Sequence, residues 1–372
     1  MRIGIDGRLI VQTGVGRYIR NLIHELGTID SSNDYVVYLR SVDTPTFVAP
    51  NTRWEIRVVD IPWHSLREQI VLPFVYKRDK LDLIHVPYFT IPIFYQGNIV
   101  VTIHDLTALY VNTGKATTLP KPLYWLRRLG YWLVLQVGLR RARHIIAVSR
   151  TTKRDIERSF SVPRGRISVT YEGVDRSFRI KARNSDGLPQ DPFFLYVGNA
   201  YPHKNLERLL EAFNRYIESR SKHAGTVRLV LVGSDDYFYT RLKAYAATLT
   251  AGSVVSFYGG VSDEELAAFY AHARALVFPS LMEGFGLPAL EALSLGCPVI
   301  CSDIPVFHEI LGDYASYFNP KSVSAIFDAL TRVIEEKKST RVSVRLEVLK
   351  KFDWNTLAAD TLSVYERVGR HL

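Results

Sequence analysis

The sequence has few features that would stabilise a very small or a membrane-spanning protein. Its 372 residues include two cysteines, Cys297 and Cys301, which offer neither a disulfide framework nor a metal site made of thiols alone. No run of about 18 uninterrupted apolar residues occurs, so a transmembrane helix is not expected. The first residues, MRIGIDGRL, include Asp6 and lack a long apolar stretch, so they predict a strand and not a signal peptide. These absences favour a protein of the reducing cytoplasm.

Acidic residues are fewer than basic ones. The chain has 47 Lys and Arg against 37 Asp and Glu, which gives a formal net charge of +10. Hydrophobic residues make up 47% and charged residues 23%, a balance typical of globular proteins that excludes a wholly disordered chain and a coiled coil. A basic excess suits phosphorylated substrates, anionic membranes or nucleic acid, and composition does not choose among them.

Short apolar runs alternate with amphipathic segments in both halves of the chain, which predicts parallel sheets flanked by helices. The predicted strands are residues 2–6, 35–39, 83–86, 99–103, 144–148, 167–171, 193–197, 227–232, 254–257, 275–278 and 298–301. The predicted helices are residues 16–26, 151–160, 205–218, 236–249, 263–272, 288–295 and 323–335. We therefore expect an α/β fold class with two doubly wound, Rossmann-like domains that face each other across a cleft. The polar segment 181–192 would link domains 1–180 and 193–350, and residues 351–372 would form a C-terminal helical segment.

A glycine-rich motif follows the predicted strand 275–278. Gly284 and Gly286 allow the backbone to approach a ligand closely, and Pro288 suits the first turn of a helix. The backbone amides expected to point at an anion, helped by the helix dipole, are those of Gly284, Phe285, Gly286 and Leu287. Glu283 and Glu291 flank this site and would be repelled by a phosphate, so we expect them to bind neutral hydroxyls of a sugar and a ribose.

Three further loops carry candidate residues. In VGNAYPHKN, Lys204 stands at a predicted helix start, where the dipole disfavours a cation, so its position implies an external anion such as a diphosphate. Gly14 and Gly16 lie in a glycine loop between the first strand and the first helix, without the third glycine of the dinucleotide fingerprint. His104 and Asp105 follow another strand. There the pair either binds hydroxyls and moves protons, or Asp105 caps a helix and His104 is packed.

With these motifs, nearly the whole chain resembles glycosyltransferase family 4, which has the GT-B fold. The segment VFPSLMEGFGLPALEALSLGCPVI matches the paired-glutamate motif of the family without a gap, and VGNAYPHKN matches its lysine-bearing loop. Asn199 stands where many members have an arginine, which removes one expected contact to the donor phosphate. The tail KFDWNTLA resembles a C-terminal helix that crosses back to the first domain. DGRLIVQTGVGRY and VTIHDL resemble the bacterial branch that builds surface polysaccharides, in which many members are mannosyltransferases that use GDP-mannose.

The resemblance implies a retaining glycosyltransferase that moves a sugar from a nucleotide diphosphate donor, here expected to be GDP-mannose, to a hydroxyl of a glycan or lipid-linked acceptor. Glu283 and His104 would be the catalytic residues, and the backbone at Val261 would contact the base. The residues expected to bind the donor are Lys204, Gly284, Phe285, Gly286, Leu287, Glu291, Val261, Gly14 and Gly16. The resemblance also implies front-face attack without a metal, and we expect no cofactor besides the donor substrate.

Two alternative functions remain open. A sugar-nucleotide epimerase or hydrolase uses the same architecture and needs no acceptor. A non-enzymatic protein that binds anionic polymers would suit the net charge, although no nucleic-acid-binding module is recognisable and nucleic acid is not an expected partner.

One segment predicts contact with a membrane. Residues 121–144 have an apolar middle, 129–139, which is flanked by arginines and too short to span a bilayer. This pattern predicts either a core helix of the first domain or peripheral docking on an anionic surface at the inner face of the membrane. Both hold if one face of the helix packs and the other docks.

Overall fold

The computed structural model describes residues 1–89, 91–110, 120–174, 187–220, 226–335 and 349–370. The chain divides into two compact units, each built on one parallel sheet, which confirms the predicted α/β fold class. The first unit comprises Met1–Leu109, Leu119–Gly173 and Lys351–Leu372, and the second comprises Tyr110–Thr118 and Val174–Lys350. The N-terminal part of the first unit runs to Gly173, and the predicted linker 181–192 lies outside the described residues up to residue 186.

The first unit contains a seven-stranded sheet. Its strands are β1 (Arg2–Asp6), β2 (Asp34–Leu39), β3 (Trp54–Val58), β4 (Leu83–Val86), β5 (Asn98–Ile103), β6 (His144–Ala147) and β7 (Ile167–Val169). Its first five helices are α1 (Gly14–Ile29), α2 (Leu66–Arg78), α3 (Thr107–Tyr110), α4 (Lys121–Arg141) and α5 (Arg150–Ser159). The strand order is β3-β2-β1-β4-β5-β6-β7, and every neighbouring pair is parallel. The central strands are apolar on both faces because helices cover both sides of the sheet.

The second unit contains a six-stranded sheet. Its strands are β8 (Phe193–Val197), β9 (Arg228–Val232), β10 (Val255–Tyr258), β11 (Ala275–Phe278), β12 (Val299–Ser302) and β13 (Ala315–Phe318). Its helices are α6 (Leu206–Ser219), α7 (Tyr237–Ala246), α8 (Asp263–His272), α9 (Leu287–Ser294), α10 (Pro305–Leu311) and α11 (Val323–Glu335). The strand order is β10-β9-β8-β11-β12-β13, again with parallel pairs throughout.

The last described helix, α12 (Trp354–Gly369), belongs to the first unit and packs on α1. Its Tyr365 hydroxyl lies 2.6 Å from Nδ1 of His85, and Nε2 of His85 lies 2.8 Å from Oγ1 of Thr102. Complete burial lowers the pKa of His85 to about 3, so the imidazole is neutral at physiological pH. A neutral, fully hydrogen-bonded histidine thus joins α12 to strands β4 and β5.

The helix α4 has two different faces. Leu135 and Leu139 are fully buried in the core of the first unit, whereas Leu126, Leu129 and Leu133 are exposed. The core-helix interpretation therefore holds for one face only. Among the described residues, no helix combines the length and apolar character needed to cross a membrane.

Candidate active site

The strongest sequence motifs meet at one edge of the second sheet. The strands β8 and β11 are hydrogen-bonded neighbours in the middle of the sheet. The strand that follows β8 in the chain, β9, lies on one side of this pair, and the strand that follows β11, β12, lies on the other side. In doubly wound sheets, ligands bind beyond the carboxyl ends of the strands at such a point of reversal. The loop with Lys204 follows β8, and the loop with Glu283 follows β11.

Lys204 and Glu283 form a largely buried ion pair. The Nζ of Lys204 lies 2.6 Å from Oε1 of Glu283, and the Oγ of Ser280 donates to the same oxygen at 2.6 Å. The ring of Phe278 lies 5.7 Å from Nζ, within cation–π range. The counter-charge of Lys204 therefore lies inside the protein, and the argument that its position requires an external anion was wrong. Ser280 was missed by the sequence analysis.

The backbone before α6 fixes the position of Lys204. A short 3₁₀ turn, Pro202–Lys204, is followed by Asn205 in the left-handed conformation with φ of 62°. The Asn205 side-chain amide donates to the carbonyls of Pro279 at 3.0 Å and Pro320 at 2.8 Å, which holds the turn against the Glu283 loop. The helix consequently begins at Leu206, so Lys204 stands in the preceding turn and not at the predicted helix start.

The glycine-rich motif forms the N-terminus of α9. Gly286 precedes the helix with φ of 95°, and a Cβ there would lie 2.8 Å from the ring of Phe307, so a glycine is required. Phe285 and Leu287 are buried and anchor the loop, and Pro288 stands in the first turn as predicted. The first amides of a helix have no acceptor within it and carry partial positive charge, so this end of α9 suits an anion.

Glu291 and Val261 occupy separate positions in the second unit. Glu291 is buried on α9 and accepts a hydrogen bond of 3.0 Å from the hydroxyl of Tyr270 on α8, a partner that the sequence analysis missed. Val261 lies in the loop between β10 and α8, at the carboxyl end of β10. A Cβ at the adjacent Gly259 or Gly260 would meet no atom within 4 Å, so the backbone of this loop is open to a ligand.

The two candidate glycines of the first unit are helical. Gly14 and Gly16 lie in the first turn of α1, where the amide of Arg17 donates to the carbonyl of Thr13 at 3.1 Å. The prediction of a glycine loop was therefore wrong. A Cβ on Gly16 would clash with the carbonyl oxygen of Ile10, so the glycine allows the helix to start against the preceding turn.

His104 follows β5 and is held from two sides. Its Nδ1 lies 2.9 Å from Oε1 of Glu172, and its Nε2 lies 3.1 Å from the carbonyl of Pro87. The ring also packs edge-to-face with Tyr18 on α1, with 4.8 Å between the ring centroids. His104 therefore lies beside α1, the helix that begins with Gly14 and Gly16. Both nitrogens face acceptors, which orients the imidazole as a hydrogen-bond donor.

Two residues near His104, Asp105 and Glu172, form hydrogen bonds that fix this part of the first unit. Asp105 accepts a hydrogen bond of 2.7 Å from the amide of Thr107 and caps α3, which is the capping interpretation given for this residue. Glu172, the partner of His104, was missed by the sequence analysis, because the two residues are 68 positions apart in the chain. In the part of the chain that the structure describes, no group of three or more His, Cys, Asp and Glu side chains is placed to hold a metal ion.

The two doubly wound units define the GT-B fold, with an ion pair and a helix N-terminus at the switch point of the second. Solved structures share this fold over the whole chain. Sucrose-phosphate synthase from Thermosynechococcus elongatus matches with a TM-score of 0.78 and 20% identity over 100% of both chains. Anabaena HepE in complex with UDP and glucose matches with a TM-score of 0.73 and 15% sequence identity, over 99% of this chain and 100% of that chain. WaaG, a glycosyltransferase involved in lipopolysaccharide biosynthesis, matches with a TM-score of 0.70 and 16% sequence identity, over 97% of this chain and 94% of that chain.

Sequence comparisons identify the family of the chain. The family models for glycosyltransferase family 4 and for glycosyl transferases group 1 match residues 12–178 and 178–345. The O-antigen chain mannosyltransferase RfbU of Salmonella typhimurium is 30% identical over 302 residues, 78% of each chain. The O-antigen chain mannosyltransferase B of Escherichia coli is 30% identical over 251 residues, 62% of each chain. The chain belongs to glycosyltransferase family 4 and is a glycosyltransferase.

Proposed function

We propose that this enzyme transfers mannose from GDP-mannose to a hydroxyl of a glycan or lipid-linked glycan, with retention of configuration at the anomeric carbon. The single observation that carries the proposal is the Lys204–Glu283 pair at the switch point, beside the N-terminus of α9. The O-antigen mannosyltransferases to which the chain is similar support mannose as the sugar.

The diphosphate of the donor would bind to Lys204 and the N-terminus of α9. One of the three N–H donors of Lys204 reaches Glu283, and the geometry of an ammonium group leaves the others for phosphate oxygens. The backbone amides assigned to the same diphosphate are those of Gly284, Phe285, Gly286 and Leu287. These groups are fixed before the donor arrives, so they would stabilise the charge that grows on the leaving nucleoside diphosphate.

The remaining groups are assigned to neutral parts of the substrates. Glu283 would accept hydrogen bonds from hydroxyls of the transferred sugar, Glu291 would bind the ribose, and the open backbone at Val261 would contact the base. In the first unit, His104 is assigned to a sugar or acceptor oxygen, which would replace Glu172 or the carbonyl of Pro87 as a partner of the ring. Gly14 has open space beside its Cα and would allow close approach of the backbone, and Gly16 would support that turn by packing against Ile10.

The acceptor would bring the enzyme to the inner face of a membrane. On α4, the exposed side chains of Leu126, Leu129 and Leu133 point away from the core, and Arg140 and Arg141 follow them. An apolar helix face bordered by arginines suits peripheral binding to anionic lipid. A lipid-linked acceptor would then be presented to an enzyme held at its surface.

Product analysis tests the transfer reaction directly. The full chain is incubated with GDP-mannose, with and without a membrane extract that contains lipid-linked glycans, and the consumed donor is compared with the mannosylated product. We expect donor consumption to depend on the acceptor, with the α-configuration of the donor sugar kept in the product. Release of free mannose or an epimerised sugar nucleotide at the same rate without acceptor would contradict a transferase and favour the alternative enzyme class.

Lys204→Ala tests the diphosphate site. Loss of a charge-assisted hydrogen bond costs about 1.5–3 kcal/mol, which corresponds to roughly 10- to 100-fold weaker binding of both GDP-mannose and GDP. Lys204→Arg is the matched control, because it keeps the cation and should lose much less affinity. Calorimetry that shows unchanged GDP affinity for Lys204→Ala would overturn the assignment.

A further inference from the structure

The helix α2 presents an apolar stripe to solvent. Leu66, Ile70 and Phe74 are spaced four residues apart, so they lie on one face of the helix. Their exposed fractions are 84%, 57% and 71%, which is unusual for large apolar side chains that follow one another along a helix.

The opposite face of α2 is fixed, so the stripe cannot turn inward. Glu68, Leu72 and Tyr76 are completely buried and also recur every four residues. Oε2 of Glu68 lies 3.7 Å from the guanidinium of Arg8, which itself pairs with Asp6 at 2.6 Å. Buried polar contacts and core packing therefore set the rotation of α2 about its axis.

The helices α2 and α4 are connected through residues 91–96. The amide of Ile93 donates to Oε1 of Gln69 on α2 at 2.9 Å, and Arg141 at the end of α4 donates to the carbonyl of Tyr95 at 3.1 Å. Between these two anchors, Phe94 is exposed. We call the exposed side chains of α2, Phe94 and the exposed leucines of α4 the apolar face.

The apolar face has basic residues around it and no exposed carboxylate on either helix. Arg67, Lys77 and Arg78 of α2 are exposed, as are Arg140 and Arg141 of α4. Glu68 is the only acidic residue of α2 and is buried, and the sequence of α4 contains no acidic residue. A second copy of the chain placed on this face would bring cations against cations, whereas an anionic lipid surface matches both the charge and the apolar side chains.

We propose that α2 and Phe94 insert into an anionic lipid surface together with α4, so that the enzyme docks through two helices and the loop between them. The inference rests on the peripheral docking proposed above for α4 and extends it to a second element. The exposed side chains of α2 enter the region between headgroups and acyl chains, while the basic residues remain at headgroup level.

Co-sedimentation of the full chain with vesicles tests the role of α2. Vesicles of phosphatidylcholine with phosphatidylglycerol are compared with vesicles of phosphatidylcholine alone. The paired variant Ile70→Gln with Phe74→Gln should lose at least tenfold in partitioning onto the anionic vesicles. The matched control is Val42→Gln with Val48→Gln, two exposed apolar residues of the same unit outside the apolar face, which should bind like the original protein.

A second variant pair separates this inference from the proposal on which it rests. Leu126→Gln with Leu129→Gln, on α4, should also lose at least tenfold. If this pair loses binding while the α2 pair binds like the original protein, docking through α4 stands and the two-helix inference is overturned. If the original protein does not bind anionic vesicles, both are overturned.

A tryptophan probe reports insertion directly and does not depend on loss of binding. Phe74→Trp is made in a chain with Trp125→Phe and Trp132→Phe, which removes the two exposed indoles of α4. Vesicles with brominated acyl chains should quench the new indole severalfold more than they quench the parent chain without it. Equal quenching in the two proteins would overturn the insertion of α2.

Discussion

At the scale of single residues, Glu283 links the structural and chemical parts of the site. Its Oε1 accepts hydrogen bonds from Lys204 and Ser280, so the carboxylate is oriented before any ligand binds. A fixed charge of this kind contributes most when charge develops during reaction, because it needs no reorganisation. The same carboxylate also neutralises Lys204 in the absence of donor.

We expect Glu283→Gln to lower turnover by a factor of about 100–1000, the cost of removing one preorganised electrostatic contact. Affinity for GDP should stay the same or rise, since Lys204 then lacks its internal counter-charge. Steady-state transfer rates and calorimetry with GDP measure the two effects separately. Near-normal turnover in a variant with an unchanged melting temperature would contradict the catalytic assignment, and Ser280→Ala should give an intermediate loss.

Glu68 predicts a pH dependence of stability. Burial raises the pKa of Glu68 from 4.5 to about 7, and its Oε1 has no hydrogen-bond partner among the described residues. The folded state therefore holds a proton that the unfolded state releases, so stability falls as pH rises from 4.5 to about 7.

Glu68→Gln should remove this dependence. Chemical unfolding of the original protein and the variant is compared between pH 5 and pH 8, and the difference between them isolates the one group. We expect the variant to gain stability relative to the original protein as pH increases. Parallel curves would show that Glu68 titrates normally.

The sequence predicted Lys204 and Glu283 individually but not as a pair. Each follows an apolar strand, and that local pattern is visible in the sequence. Their contact depends on β8 and β11 being neighbours, and these strands are separated in the chain by β9 and β10. Sheet order is set by long-range packing, which a local sequence pattern does not reveal. The sequence analysis therefore assigned an external anion as the counter-charge of Lys204, whereas Glu283 is its counter-charge in the fold.

At the scale of elements, the central strands were predicted well. Of the four edge strands of the described sheets, β7 and β10 were predicted and β3 and β13 were missed. The strands β8 and β11 are continuous apolar runs because both of their faces are covered. The edge strand β3 alternates apolar residues with Glu55 and Arg57, and Glu55 pairs with Arg2 at 2.9 Å on the exposed side. An apolar-run criterion misses such a strand, and it also missed β13 at an edge of the second sheet.

The attachment of α12 gives a prediction at this scale. Tyr365→Phe removes the hydroxyl that lies 2.6 Å from Nδ1 of His85 and leaves a buried polar nitrogen without its partner. We expect a loss of about 1–3 kcal/mol in the stability of the first unit. Hydrogen exchange of α12 amides and chemical unfolding measure it.

Ser363→Ala on the same helix is the control for Tyr365→Phe. Its hydroxyl donates only to the exposed carbonyl of Ala359 at 3.0 Å, so its removal should change stability little. Equal stabilities for the two variants would show that the contact between Tyr365 and His85 does not hold α12 in place.

At the scale of the whole molecule, the two units share one architecture but carry different chemistry. The second unit has a lysine, a helix N-terminus and a carboxylate at its switch point, a set suited to a diphosphate beside a sugar. The first unit has a buried histidine held as a donor and an exposed apolar face bordered by basic residues.

This division of roles predicts how nucleotides stabilise the molecule. A ligand that binds only the folded state adds about 2.7 kcal/mol at a concentration 100 times its dissociation constant, so it raises the melting temperature. GDP and GDP-mannose should do so, and the new hydrogen-exchange protection should fall in the second unit, at the loops that follow β8, β10 and β11. UDP at the same concentration should raise the melting temperature less than GDP does, because it offers the same diphosphate but a different base to the loop at Val261. Stabilisation by UDP and not by GDP would contradict the guanosine donor while leaving the diphosphate site intact, and Lys204→Ala should abolish whichever shift is observed.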